Sequence, residues 1–279
     1  MEVAKLIQQN LSDEEIIRQT GITPQGLKNR RTRLMRMEEE MKQARILALP
    51  DLHLPYNIDI SAIEKFMAGF KPTHLLYLGD TLNFDCVSHW IEDHIKDREG
   101  LRLKDDYDNV NEMVARHRGI VGANCQVIYF LGNHEEWINQ TVGKNPQFEG
   151  MLEVETWVKG IDKFIPFNET WSIGHLTYLH GMWCNKYHAA KHLDAYMTNL
   201  IYGHTHDIQE FSKLKPQDKY PIKAKSVGCL CKFDMPYMKK RPSNWVNSFS
   251  IAYVRNDGTF NEYTPNIIDG HFTFGGKNY

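Results

Sequence analysis

No apolar run in the chain approaches the roughly 18–20 residues that a membrane span requires, so no transmembrane anchor is expected. The opening stretch MEVAKLIQQNLSDEE lacks the continuous apolar core of a secretory signal. Charge of one sign is also missing. A formal net charge of −2 argues for neither a polyanion-wrapping protein nor an acidic tail. Cysteine is sparse: Cys86, Cys125, Cys184, Cys229 and Cys231 are five in number, an odd count spread through a chain large enough to need no disulfides. A reducing, cytoplasmic setting fits that usage. The close pair Cys229 and Cys231 has no partner pair elsewhere, so it reads as small apolar residues in or near a strand. Repeats and low-complexity segments are absent.

What is present divides into two parts. The 279 residues, 42% hydrophobic and 24% charged, suit one large soluble α/β domain with room for a small accessory domain. Residues 1–43 read as an all-helical unit. Val3, Leu6 and Ile7 suit a short helix, and Ser12 with Glu15 has the pattern of a capping box before Ile16 and Ile17. Gly21 can supply a left-handed stop, and Thr23-Pro24 an N-cap and first turn for a helix through Met37. Helix, Gly-containing turn and helix make a helix-turn-helix signature. Between Arg18 and Arg36 there are basic residues and no acidic ones, so Lys28, Arg30, Arg31 and Arg33 are candidate contacts to DNA or RNA. A solvated basic face or a self-association helix is the alternative.

Residues 44–279 change grammar. Strand-like runs at Ile46–Leu49, His74–Leu78, Gln126–Leu131, His175–Leu179 and Asn199–Tyr202 alternate with helical stretches at Ser61–Phe70, Lys104–Arg118 and Asn185–Met197. Such alternation predicts an α/β domain around a central sheet. Lys223–Leu230, Phe249–Arg255 and Thr259–Tyr263 read as further strands, the last two joined by a turn at Asn256-Asp257-Gly258.

Each of the first five strands is followed by polar residues, usually beside a glycine. They are Asp51-Leu52-His53, Gly79-Asp80, Gly132-Asn133-His134-Glu135, His180-Gly181 and Gly203-His204-Thr205-His206. In open α/β sheets ligands collect at the carboxyl ends of strands. One such fragment means little, but five in order are hard to explain as packing, because clustered carboxylates and imidazoles need a counter-charge. Imidazole, carboxylate and amide donors without thiolate suit two divalent ions such as Mn, Fe or Zn. Ions about 3.5–4 Å apart can clamp a phosphate and activate a water.

This motif order resembles the calcineurin-like metallophosphoesterases over roughly Ala44 to Tyr263. The resemblance implies an α/β fold, an αββα metallophosphoesterase sandwich, preceded here by the small helix-turn-helix-like unit. It implies one metal held by Asp51, His53, Asp80 and His206, and a second by Asp80, Asn133, His180 and His204. Mn2+ is the expected ion, with Fe, Zn or Ni as alternatives. A hydroxide bridging the metals would attack phosphorus, Asp80 would bridge, and His134 would assist the leaving group. The Ser/Thr phosphatase branch carries a further Asp and an Arg after its Gly-Asp. Here Asn83 replaces that Asp and the Arg is absent, which counts against a phosphoprotein phosphatase. Asp85 is then a candidate partner for His134. The stretch from His180 through Lys186 and His188 to Gly203, with Ser226-Val227-Gly228-Cys229, is most similar to phage and prophage members. The setting would then be host cytoplasm.

The long link between Asp80 and Asn133 is either a cap over the site, bringing His89 and Trp90, or helices added to the outer layer. Lys240, Arg241 and Trp245 suit a phosphate and a stacked base, or a loop packing its Trp on the sheet. Lys186, His188 and Lys191 read as a solvated helix face. The expected activity is phosphoester hydrolysis on nucleic acid or nucleotides. A phosphomonoesterase acting on a small metabolite or phosphoprotein, and a DNA-binding regulator that uses the fold as a platform, are the alternatives.

Overall fold

Runs such as Leu75-Leu76-Tyr77-Leu78 leave no polar face, which suits strands covered on both sides. In the computed structural model, β1 (Ala44–Leu49), β2 (His74–Leu78) and β3 (Gln126–Phe130) lie side by side in parallel register. The structure describes all residues except 1–2, 4–5, 8–10, 89–94, 217, 236–237 and 239–240, and the side chains of 34–42, 95 and 97. The chain divides into two compact units, Met1–Ala44 and Arg45–Tyr279.

In the smaller unit, α1 (Asp13–Thr20) opens with the reciprocal Ser12–Glu15 capping box and closes on Gly21 in the left-handed region at φ 67°. Thr23 then caps α2 (Pro24–Lys42), which runs past the expected end at Met37 because Glu38–Met41 contains no helix breaker. Among its described residues, Ile16 and Leu27 are the buried apolar ones. Arg31 pairs with Asp13 at 2.6 Å.

The larger unit holds two sheets. With β4 (Lys163–Ile165), β10 (Ser250–Val254) and β11 (Phe260–Tyr263), the first has the order β11-β10-β1-β2-β3-β4. The second is formed by β5 (Trp171–Ile173), β6 (Leu176–Leu179), β7 (Asn199–Tyr202), β8 (Glu210–Lys213) and β9 (Ile222–Ser226) in the order β5-β6-β7-β9-β8. Alternate residues Leu47, Leu49, Leu75, Tyr77, Val127 and Tyr129 form one core with α3 (Ser61–Phe70) and α4 (Leu103–Val121). On the second sheet Leu179, Leu200, Tyr202 and Ala224 pack against Leu193 of α6 (His188–Tyr196); α5 (Asn133–Lys144) precedes it in the chain. The remaining faces are buried too: Leu76, Ile128, Tyr178 and Ile201 are all fully covered. Cross-sheet contacts, His74 with Trp171 at 5.4 Å between ring centres and Lys225 to Glu262 at 3.0 Å, place these faces together. Helix, sheet, sheet and helix layers follow.

Two local expectations change, and one open alternative is met. The strand expected over Lys223–Leu230 ends at Ser226, because Gly228 turns the chain at φ 73° and Cys229 pairs with Asn247 as an isolated bridge. The helix expected from Asn185 begins at His188. The link after Asp80 contributes α4 to the outer layer, where Tyr107, Val110, Met113 and Val114 are buried; His89 and Trp90 lie outside the described residues.

Candidate metal centre

The parallel strands β1, β2 and β3, and β6 with β7, end at one rim of the facing sheets. Hydrogen bonds lock these ends together. Asp51 accepts from the His204 amide at 3.0 and 2.9 Å, and His180 Nδ1 donates across the sheets to Leu78 O at 2.9 Å. Two glycines permit the approach. A Cβ on Gly132 would fall 2.1 Å from Asp80 Oδ1, and one on Gly203 would fall 2.3 Å from Asp51 Oδ2. Asp51, His53, Asp80, His204 and His206 all hold left-handed backbones, at φ 46°, 48°, 44°, 68° and 61°. Such strain persists only where the surroundings over-determine it, and it clusters at functional sites.

Seven expected ligands converge here as two groups joined at Asp80. In the first, His53 Nε2 lies 3.1 Å from His206 Nε2, His206 Nε2 lies 3.3 Å from Asp51 Oδ1, and His53 Nε2 lies 3.8 Å from Asp80 Oδ2. In the second, His180 Nε2 lies 3.4 Å from Asp80 Oδ2 and 3.2 Å from Asn133 Oδ1, with His204 alongside. These atoms are lone-pair bearers facing one another, so a positive charge belongs among them. Ligands bonded at about 2.1 Å and roughly 90° apart on one ion are themselves about 3 Å apart, the spacing found for the two Nε2 atoms. The donor set fits divalent metal, and these buried groups can hold an ion.

Acceptor-only partners fix the imidazoles. Asp85 accepts from Asn83 Nδ2 at 2.6 Å, which turns Asn83 Oδ1 toward His53 Nδ1 at 2.9 Å. His53 therefore carries its proton on Nδ1 and directs Nε2 inward. His134 Nδ1 donates to the main-chain carbonyl of Asn83 at 2.8 Å. Asp85 is thus not the partner of His134; its second oxygen is taken by Tyr56 Oη at 2.6 Å. His134 Nε2 stands 3.9 Å from Asp80 Oδ2.

The charge pattern follows from burial. Burial, then the His134 imidazole, hold His53 well below its usual value. Burial also lowers His134, against the pull of Asp80. For His180 burial is outweighed by Asp80, which pushes it up to about 10. His206 is likewise raised to about 9 despite burial, through Cys229 and Asp51. Burial and His180 press His204 down to about 3.

Several participants carry no sequence assignment. Glu135, fully buried, accepts from the amides of Asp80, Thr81, Leu82 and Gly132 at 3.0, 2.9, 3.1 and 2.8 Å and from Tyr129 Oη at 2.9 Å. It ties the Asp80 loop to the Asn133 loop, and its place in the Gly-Asn-His-Glu run was the available signal. Cys184 Sγ sits 3.0 Å from His204 Nε2, and Cys231 Sγ is grouped with His53 and His206. His188 is buried rather than solvated: its ring meets Tyr202 Oη at 2.7 Å and Asp207 at 3.1 Å, which steadies the loop carrying His206. Lys186 and Lys191 are exposed.

Of the expected substrate contacts, Trp245 packs against His206 with ring centres 4.3 Å apart, and Arg241 is exposed. Lys240 lies outside the described residues, as do His89 and Trp90. Lys28, Arg30 and Arg33 are exposed on α2, and Arg31 is the partner of Asp13. Among the described residues no helix is long and apolar enough to cross a membrane.

No family model matches the chain, and no curated protein matches it. Among solved structures, a single mutant and a double mutant of Vps29 from Entamoeba histolytica are similar to it. Each is 16% identical with a TM-score of 0.42, over 82% of this chain and 96% of its own length.

Proposed function

We propose that residues 45–279 form a two-metal phosphoester hydrolase acting on nucleic acid or nucleotide phosphoesters. The observation that carries this reading is Asp80, whose Oδ2 lies 3.8 Å from His53, 3.9 Å from His134 and 3.4 Å from His180, between two groups of metal-competent donors. Asp51, His53, Asp80 and His206 would hold one ion, and Asp80, Asn133, His180 and His204 the other. Two such ions, Mn2+ or a similar metal, would supply Lewis-acid clamping of phosphoryl oxygens and a lowered pKa for a water.

The chain's own groups do the rest. Glu135 and the Asn83–Asp85 pair keep the donors aimed inward. His134, anchored at Nδ1, can take a proton at Nε2 and pass it to a departing oxygen. The exposed Lys28, Arg30 and Arg33 of α2 support nucleic acid as the substrate class, with the helix-turn-helix-like unit as a contact.

The test is hydrolysis of a chromogenic phosphodiester and its matching monoester by metal-stripped protein with Mn2+ restored. Metal-dependent turnover that disappears in Asp80→Asn is expected, with the diester preferred. Monoester preference would favour a phosphatase. Ion binding without turnover of either substrate would sink the hydrolase reading and favour a DNA-binding regulator.

A further inference from the structure

The pair Cys229 and Cys231 has no partner pair in the sequence, yet the fold brings two imidazoles to one of its sulfurs. One ring nitrogen of His53, one of His206 and Sγ of Cys231 all lie within 4.8 Å of one another, and all three residues are buried. Asn83 takes Nδ1 of His53, so Nε2 is the atom that His53 offers to this group. The hydrogen-bond partners of the Cys231 thiol are weak ones: Cys229, and His206 Nδ1 at 3.8 Å.

Backbone pairing fixes the sulfur there. Leu230 N donates to Pro50 O at 3.0 Å and to Asp51 O at 3.1 Å, and Lys232 N donates to Tyr56 O at 2.8 Å. Cys231 therefore lies between two anchors on the segment that carries Asp51 and His53. Asn247 Nδ2 adds a third, to Cys231 O at 2.8 Å. Leu230 enters the main core, while Cys229 and Cys231 join a separate cluster with Met235, against which Tyr56 and Trp245 pack. Apolar packing of this kind keeps water from the sulfur. Nitrogen and sulfur bonded to one tetrahedral ion at about 2.1 and 2.3 Å are about 3.6 Å apart, so closing the group round an ion takes shifts of about 1 Å. Cys184 differs. Its Sγ is 3.0 Å from His204 Nε2, but it is exposed and forms no such group with Asp80 and His180 among the described residues.

Resting on the two-metal reading, we propose that Cys231 Sγ is a ligand of the first ion, beside His53 and His206. The S–H bond breaks as the metal–sulfur bond forms, and the proton leaves to solvent. Thiolate selects thiophilic ions, whereas Asp80, Asn133, His180 and His204 offer the second ion only oxygen and nitrogen. The centre is therefore asymmetric: the first site holds Zn2+ in preference to Mn2+, and the second accepts Mn2+.

The probe is Co2+, which substitutes for Zn2+ and reports a bound thiolate through an intense near-ultraviolet charge-transfer band. Titration of the metal-stripped protein is expected to give that band, Cys184→Ser to keep it and Cys231→Ser to lose it. Competition should show Zn2+ weakened about 100-fold at one site of Cys231→Ser, with Mn2+ affinity changed by less than about three-fold. No band in the unaltered protein, its loss in Cys184→Ser, or its persistence in a folded Cys231→Ser overturns the ligand. Equal weakening of Zn2+ and Mn2+ does the same. Should Cys231→Ser fail to fold, X-ray absorption of zinc-loaded Cys184→Ser decides. A sulfur neighbour at about 2.3 Å upholds the assignment, and a shell of nitrogen and oxygen alone overturns it. No arm reads turnover, so ion binding without hydrolysis sinks the hydrolase reading and leaves the sulfur ligand standing.

Discussion

Asn83 places its side-chain oxygen 2.9 Å from Nδ1 of His53 while its amide nitrogen donates to Asp85 at 2.6 Å. The residue that departs from the phosphatase pattern is thereby used twice, since its carbonyl also holds His134. Asn83→Asp would restore the pattern but would put two carboxylates at hydrogen-bond distance in a buried setting. We expect it to lower stability at pH 8 by about 2 kcal/mol, and Asp85→Asn on top of it to recover most of the loss. Urea unfolding of the four proteins in this double-mutant cycle checks it. Additive losses would mean that the pair does not couple.

Asn83→Leu removes the acceptor for His53 without touching the carbonyl that serves His134. Loss of an outer partner to a metal-bound imidazole typically costs 10–100-fold in metal affinity. Calorimetric titration with Mn2+ should show one of two sites weakened by that order. Unchanged affinity at both would remove Asn83 from the metal centre.

The five strand ends and the polar side chains gathered at them were legible because an Asp, Asn or His followed each of five short apolar runs in order, a coincidence that packing does not explain. What stayed hidden depends on contacts distant in sequence. Asn83 looked like a lost Asp; only the fold shows its amide turned by Asp85 toward His53. His188 looked solvated because its neighbours Lys186 and Lys191 are, yet it turns inward to Tyr202 and Asp207. The short strands β4, β5 and β8 escaped notice because three or four residues carry too little periodicity, and their partners supply the pairing.

Gly132→Ala tests the close approach directly. Its new Cβ would fall 2.1 Å from Asp80 Oδ1 and 2.3 Å from the Asp80 amide nitrogen. Backbone cannot yield as a flexible side chain would, so the Asp80 loop must move. Overpacking of this kind costs about 1–3 kcal/mol, and displacement of Asp80 should reduce Mn2+ binding at both sites. A variant that is folded and binds two ions with unaltered affinity would contradict the geometry.

Asp106 provides a pH signature away from the metal centre. Burial raises its carboxyl from the ordinary 3.8 to about 7; Asp85 and Asp105 add to the rise, and the Cys86 thiol opposes it. A folded-state value above the unfolded one means that the folded protein holds the proton more tightly. The contribution is complete below about pH 4 and is lost as pH rises through about 7. Discounted for partial exposure to water, the change across that window is about 2 kcal/mol. Asp106→Asn should flatten the stability profile between those limits. Parallel profiles for the two proteins would refute the assignment.

The smaller unit separates its basic residues by role. Arg31 is engaged with Asp13 at 2.6 Å, a partly exposed pair worth about 0–1 kcal/mol to the two helices. Lys28, Arg30 and Arg33 are exposed on α2 and would be the phosphate contacts. Each phosphate neutralised on duplex DNA contributes about −0.9 to the slope of log affinity against log salt. Replacing all three with Ala should therefore make that slope shallower by about 2–3, measured by anisotropy between 50 and 200 mM salt. Arg31→Ala should act mainly on thermal stability. If the triple variant binds duplex DNA with the slope of the parent, α2 is not the nucleic-acid contact. Self-association through α2 then becomes the reading to pursue by sedimentation, since a dimer buries cations that a DNA reader must present.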